Sequence, residues 1–133
     1  MSLNQFANLF VNVKILVVED DNDLRDILTE SLENCGAQIV QAASGNKACK
    51  ILEKEDFDII LSDMYMPDGD GLLLARFVQK LQKSKPIFVI FSGFNDLTPE
   101  ICAEAGIAEV LTKPTKIVDV IHRVAAHLKK NIL

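Results

Sequence analysis

Residues 57–71 read Phe57-Asp58-Ile59-Ile60-Leu61-Ser62-Asp63-Met64-Tyr65-Met66-Pro67-Asp68-Gly69-Asp70-Gly71. The apolar run from Phe57 to Leu61 predicts a buried strand, because it is short and rich in β-branched residues. The run stops at Asp63, and the Gly- and Pro-rich stretch behind it suits neither strand nor helix. A carboxylate at the carboxyl end of a buried strand, on the lip of a loop, lies where open α/β sheets place their chemistry.

The same pattern recurs outward from this stretch. Ile15–Val18, Ala37–Ala42, Ile87–Phe91 and Ala108–Leu111 are further short apolar runs. Between them lie segments of helical period. The first carries Leu24, Ile27, Leu28 and Leu32 and ends toward Gly36; the second carries Ala48, Ile51 and Leu52. The third carries Leu72, Leu73, Ala75, Phe77, Val78 and Leu81, and the last carries Ile117, Val118, Ile121, Val124, Ala125 and Leu128. Asp21, Ser44, Asp70, Thr98 and Thr115 stand where N-caps belong, and Pro99 follows Thr98 at a first helical position. Five βα repeats predict a parallel sheet with helices on both faces. Right-handed crossovers then bring every strand's carboxyl end to one edge. Glu19-Asp20-Asp21, Asp63, Ser92 and Lys113 follow strands one, three, four and five, so all converge there. No repeat, low-complexity segment or second-domain linker interrupts the pattern.

At 133 residues with 49% hydrophobic and 25% charged residues, the chain reads as one globular domain. Residues 1–13 read as an N-terminal extension or linker, with Phe6, Leu9 and Phe10 able to form part of a helix that packs on the domain, and residues 14–130 as the domain itself. A net charge of −5 argues against a nucleic-acid surface. No stretch is long and apolar enough to span a bilayer, and the start lacks the pattern of a signal peptide. Cys35, Cys49 and Cys102 are odd in number with no CxxC, which suggests free thiols and a cytoplasmic location.

The convergent residues define a chemistry. Asp63 can attack phosphorus as a carboxylate nucleophile and form an acyl phosphate. Glu19, Asp20 and Asp63 offer the oxygen ligands that Mg²⁺ prefers, or Mn²⁺ in its place, and the Tyr65 carbonyl is a further candidate ligand. Lys113 can neutralise a phosphoryl oxygen, and Ser92 can donate a hydrogen bond to another. Taken singly, several of these residues have plainer roles. Asp21, Asp68 and Asp70 read as cap and turn residues rather than ligands. His122 and His127 read as surface or packing residues.

The segments VVEDD, LSDMYMPDGDG, FSG and LTKP resemble those of the receiver domain of two-component response regulators, and the resemblance covers residues 14–130. It implies a flavodoxin-like (βα)5 fold with strand order 2-1-3-4-5. It also implies transfer of a phosphoryl group to Asp63 from the phosphohistidine of a sensor histidine kinase or histidine phosphotransfer protein. Mg²⁺ would be held through Glu19, Asp20 and Tyr65, Ser92 and Lys113 would sense the phosphoryl group, and the Lys113–Pro114 bond would be cis. Val110 stands where the family commonly has an aromatic switch residue, so a signal is expected to pass instead through the 92–97 loop and the helix after Thr98. Tyr65 and Phe94 lie where bulky side chains would slow hydrolysis.

The resemblance implies a phosphoacceptor switch, not an enzyme beyond self-catalysed phosphotransfer and dephosphorylation. A Mg²⁺-dependent phosphohydrolase with an aspartate nucleophile is the enzymatic alternative, against which Tyr65 stands where a second acid would be expected. A phosphorylation-independent binding module is another alternative. No nucleic acid or membrane partner is expected of this domain, which reads either as a stand-alone regulator or as a piece of a larger protein. A homodimer through the face of the fourth helix, fifth strand and fifth helix stays open, with Ile101, Val110 and the last helix as its place.

Overall fold

A computed structural model describes residues 7–81, 83–93 and 96–132, with the backbone alone for 130–132. Five strands alternate with five helices: β1 Lys14–Val18, α1 Asn22–Glu33, β2 Gln38–Ala42, α2 Gly45–Leu52, β3 Ile59–Asp63, α3 Gly71–Lys80, β4 Ile87–Ser92, α4 Pro99–Ala105, β5 Glu109–Thr112 and α5 Ile117–Ile132. All strand pairs are parallel, in the order β2-β1-β3-β4-β5. The expected fold is therefore the observed one.

Alternation along the strands divides the interior into two cores. Ile15, Val17, Ile59, Leu61, Val89 and Phe91 face α1 and α5, where they meet Leu28, Leu32, Val120, Ile121 and Val124. Leu16, Val18, Ile60, Phe88 and Ile90 face the other way onto Ala48, Leu52, Leu74, Ala75, Val78 and Ala105. A parallel strand covered on both faces must be apolar at every position, which is why these runs lack polar alternation.

The caps at Asp21, Ser44, Asp70 and Thr98 form as expected. Their side chains accept from the amides of Leu24, Lys47, Leu73 and Ile101. Thr115 differs: its hydroxyl donates to the Thr112 carbonyl at 2.6 Å, tying the α5 approach back to β5. Two apolar helix residues also differ from the expected inward stripe. Ile27 and Leu73 are about half exposed, because α1 turns Leu28 and Leu32 inward and α3 turns Leu74 and Val78 inward.

Residues 7–12 form turns rather than a helix, yet Phe10 is fully buried in the α1–α5 core. Its amide donates to the Cys35 carbonyl at 2.8 Å. Phe6 lies outside the described residues. Among the described residues no helix is long and apolar enough to cross a membrane.

Candidate functional site at the carboxyl edge of the sheet

Among the described residues, the buried polar or charged side chains are Glu19, Thr29, Ser44, Ser62, Asp63 and Ser92. Three of them (Glu19, Asp63 and Ser92) sit at the carboxyl ends of β1, β3 and β4. Interiors otherwise this apolar exclude polar groups that lack partners, so their gathering at one edge marks the site.

Asp63 is the last residue of β3, two positions further along than the sequence reading ended that strand. Its Oδ1 accepts from the Met64 amide at 3.0 Å and from Lys113 Nζ at 2.8 Å. The Asp63 backbone is fixed as well. Its carbonyl accepts from the Ser62 hydroxyl at 2.8 Å, and the Met64 amide donates to the Phe91 carbonyl at 2.9 Å. Gly71 packs so closely that a Cβ there would lie 2.6 Å from the Asp63 carbonyl oxygen. The chain needs glycine at this point so that α3 can start directly against the end of β3.

The β3–α3 loop is anchored at its far side. Asp68 accepts from the Ser44 hydroxyl and the Asn46 side-chain amide, both at 2.9 Å. These bonds hold its carboxyl below the usual range. Asp21, Asp68 and Asp70 therefore act as cap and turn residues, as the sequence suggested. The Tyr65 hydroxyl donates to Asp96 across the mouth of the site. Phe94, expected to flank that mouth, lies outside the described residues.

Glu19, Asp20 and Asp63 each bring a carboxylate oxygen within 4.8 Å of the others. Glu19 Oε2 accepts from the Asp21 amide at 3.3 Å, and Lys113 Nζ lies 3.9 Å from Oε1. Burial pushes the Glu19 carboxyl up to about 7, helped by the Asp63 charge and a bond with Asp20, against the lowering effects of the Asp21 amide and Lys113. The single lysine does not balance three carboxylates. An all-oxygen donor set crowded this closely fits a hard divalent cation such as Mg²⁺, so these residues fit the ion.

Ser92 ends β4 and is buried. Register pairs Asp63 with Phe91 and Ser92 with Thr112, so Ser92 stands between the Asp63 and Lys113 positions. Its carbonyl accepts from the Lys113 amide at 2.9 Å, and the Lys113–Pro114 bond is cis. Val110 is half-buried on β5 and packs against the α2–α3–α4 core. The three cysteines are free, and burial raises each thiol, which keeps them protonated at neutral pH.

Two polar clusters escaped the sequence reading. Arg123 holds Glu109 with two bonds at 2.8 and 2.9 Å, and His127 Nε2 lies 2.6 Å from the same carboxylate. The signal was present: Arg123 and His127 are four apart on α5, and Glu109 interrupts an apolar strand. The other cluster centres on Arg25, which no motif singles out.

A family model for the response regulator receiver domain matches residues 15–125. The response regulator receiver protein CpdR of Brucella abortus (strain 2308) is 34% identical over 113 residues, covering 84% of this chain and 92% of that protein. The receiver domain of the Francisella response regulator 1452 superposes with a TM-score of 0.78 at 28% identity, covering 90% of this chain and 99% of that one. The receiver domain of the sensor histidine kinase PA1611 from Pseudomonas aeruginosa PAO1 gives a TM-score of 0.74 at 25% identity, covering 86% and 95%. That domain was crystallised with a magnesium ion coordinated in its active-site cleft.

Proposed function

The chain belongs to the response regulator receiver domains, and from that premise we propose that Asp63 is its phosphoacceptor, working with Mg²⁺ held by Glu19, Asp20, Asp63 and the Tyr65 carbonyl. The observation that carries the reading is the 2.8 Å pairing of Asp63 with Lys113 beside two further carboxylates. The partner is a sensor histidine kinase or histidine phosphotransfer protein, whose phosphohistidine is the donor. An Asp63 carboxylate oxygen attacks phosphorus. The new P–O bond forms as the P–N bond breaks, and the electron pair leaves with the imidazole nitrogen, which is then protonated.

Transfer gathers negative charge on the phosphoryl oxygens. Lys113 neutralises part of it and gives up its hold on Asp63 to do so. The Ser92 hydroxyl donates to a second oxygen. A bound Mg²⁺ supplies the remaining neutralisation. The Met64 amide, shared between the Phe91 carbonyl and the Asp63 carboxylate, helps to aim Asp63.

The product is a switch rather than a turnover. Ser92 follows the phosphoryl group, and the β4–α4 loop and α4 follow Ser92, because Val110 has no ring to swing. Matched NMR spectra with and without a phosphoryl analogue should show their largest shifts there, and none would refute this route. The Tyr65 ring hinders attacking water, so Tyr65→Asn should shorten the phosphoryl half-life.

Intact mass after incubation with acetyl phosphate and Mg²⁺ tests the central claim. The expected result is a gain of one phosphoryl group, absent in Asp63→Asn and absent with chelator. A folded, metal-bound chain that neither gains mass nor releases phosphate would overturn it.

A further inference from the structure

Glu19 is pinned on both sides of its own backbone. Its amide donates to the Ala42 carbonyl at 3.1 Å. Its carbonyl accepts from Arg25 Nη1 at 2.7 Å. The rest of the guanidinium is also engaged. Nη2 donates to Asn22 Oδ1 at 2.6 Å, and Nε donates to Gln41 Oε1 at 3.2 Å. Gln41 Nε2 in turn donates to the Thr29 hydroxyl at 2.9 Å, a buried group on α1. One planar fork therefore joins the end of β1, the first turn of α1 and the edge strand β2.

From this geometry we infer that Arg25 is a positioning residue for the cation site. It fixes the turn after β1 that presents Glu19 and Asp20 to Asp63. The inference rests on reading the site as an Mg²⁺-dependent phosphoacceptor. Arg25 acts through a backbone carbonyl, and its five rigid donors suit three acceptors at set angles, which a lysine ammonium does not match. Partners behind a metal ligand typically change metal affinity by about tenfold to a hundredfold when removed.

Charge and positioning predict opposite signs here. Removing a cation that bonds the Glu19 carbonyl leaves the neighbourhood of the cluster more negative, and by Coulomb's law alone Mg²⁺ would bind more tightly. Removing the brace lets the Glu19–Asp20 turn relax, and Mg²⁺ binds more weakly. A weakened site in Arg25→Met is therefore not explained by lost charge.

The test is Mg²⁺ titration by isothermal calorimetry of the wild-type chain, Arg25→Met, Arg25→Lys and Gln41→Leu, with thermal melting of each in chelator. Arg25→Met is expected to raise the Kd about tenfold or more. Arg25→Lys, which keeps the charge and reaches fewer acceptors, should recover part of that loss. Gln41→Leu removes one anchor of the fork while keeping every charge, and should raise the Kd by a smaller factor. Unchanged or tighter Mg²⁺ binding in folded Arg25→Met would overturn the inference. Should Arg25→Met fail to fold, unchanged affinity in Gln41→Leu overturns it instead. A wild-type chain that binds no Mg²⁺ would remove the phosphoacceptor reading itself, and this role with it.

Discussion

Mg²⁺ affinity should depend steeply on pH between about 6 and 8, because Glu19 must lose a proton to bind the ion. Burial and the Asp63 charge raise its carboxyl to about 7, so near neutral pH the metal-free site holds a proton about half the time. Metal and proton compete for the same oxygens, so the apparent Kd is multiplied by one plus the proton concentration over the acid constant of Glu19. With that constant near 7, the Kd rises about tenfold from pH ~8 to pH ~6 and levels off above pH ~8. Calorimetric titration across the window reads it directly. Glu19→Gln should bind more weakly at every pH and lose the slope. Stability carries the same linkage with a defined sign. The folded value lies above the ordinary glutamate value of 4.5, so the folded chain holds the extra proton. The contribution of Glu19 to stability without metal is therefore fully present below about 4.5 and is lost as pH rises through about 7. Saturating Mg²⁺ should offset that loss in melting curves taken above neutral pH. A wild-type Kd that is flat from pH ~6 to ~8, or a slope that persists in Glu19→Gln, would refute the argument.

Three further outcomes follow from the packing and the charges. Phe10→Ala should cost about 3–5 kcal/mol, the usual range for a buried phenylalanine, because the ring is fully buried in the α1–α5 core. Urea denaturation showing a loss under about 1 kcal/mol would mean that residues 7–13 are not part of that core. Gly71→Ala should lower the melting temperature and slow phosphorylation of Asp63, because its Cβ would fall 2.6 Å from the Asp63 carbonyl, whereas Gly93→Ala meets nothing within 4 Å and should leave the melt unchanged. Equal melts for the two variants would count against the close approach. At Glu109, burial raises the carboxyl, but bonds and charge from Arg123 and His127 outweigh it and leave a net lowering. Its contribution to stability is present above the ordinary carboxylate range and is lost as pH falls through its lowered value. Glu109→Gln should therefore flatten the acid limb of a stability–pH profile, and an unchanged limb would show that the cluster contributes nothing there.

How far the sequence was legible depended on the distance over which each cause acts. Strand and helix order rests on local period and local caps, and Asp21, Ser44, Asp70 and Thr98 each act within their own first turn. Convergence of Glu19, Asp63, Ser92 and Lys113 on one edge follows from order and crossover hand alone. Effects that depend on distant partners were not legible. The end of β3 lies two residues past Leu61, because Asp63 still pairs with Phe91 in the neighbouring strand. Ile27 fits the helical period yet faces solvent, since the period shows that a stripe exists but not where the sheet sits beneath it. Phe10 is bound to Cys35, across the whole of α1. Thr115 sits where a cap belongs, but the Thr112 carbonyl lay within reach of its hydroxyl. Arg25 looks like an ordinary surface charge until β2 is in place, and Glu109, though it interrupts an apolar strand, shows no partner until α5 packs beside it.

Strand order also explains which side chain occupies which position. The sheet runs β2-β1-β3-β4-β5, so the chain leaves β1 toward one edge and β3 toward the other. The loops after β1 and β3 diverge at that switch point and open a crevice. Glu19, Asp20 and Asp63 fill it, and three acids so close together favour a positive charge beside them. Neighbouring strands lie roughly 4.8 Å apart, so β5 stands roughly 10 Å from β3. A cation supplied from β5 must cross the end of β4 to reach Asp63. Lysine has the four-carbon stem for that reach, and its Nζ arrives at 2.8 Å from Asp63 Oδ1. The strand it crosses ends in Ser92, whose side chain is short enough to let it pass and still carries a donor of its own. Side-chain length thus increases with distance from the acid. A bulky residue at Ser92 would block the lysine, and a shorter cation at Lys113 would fall short of the carboxylate.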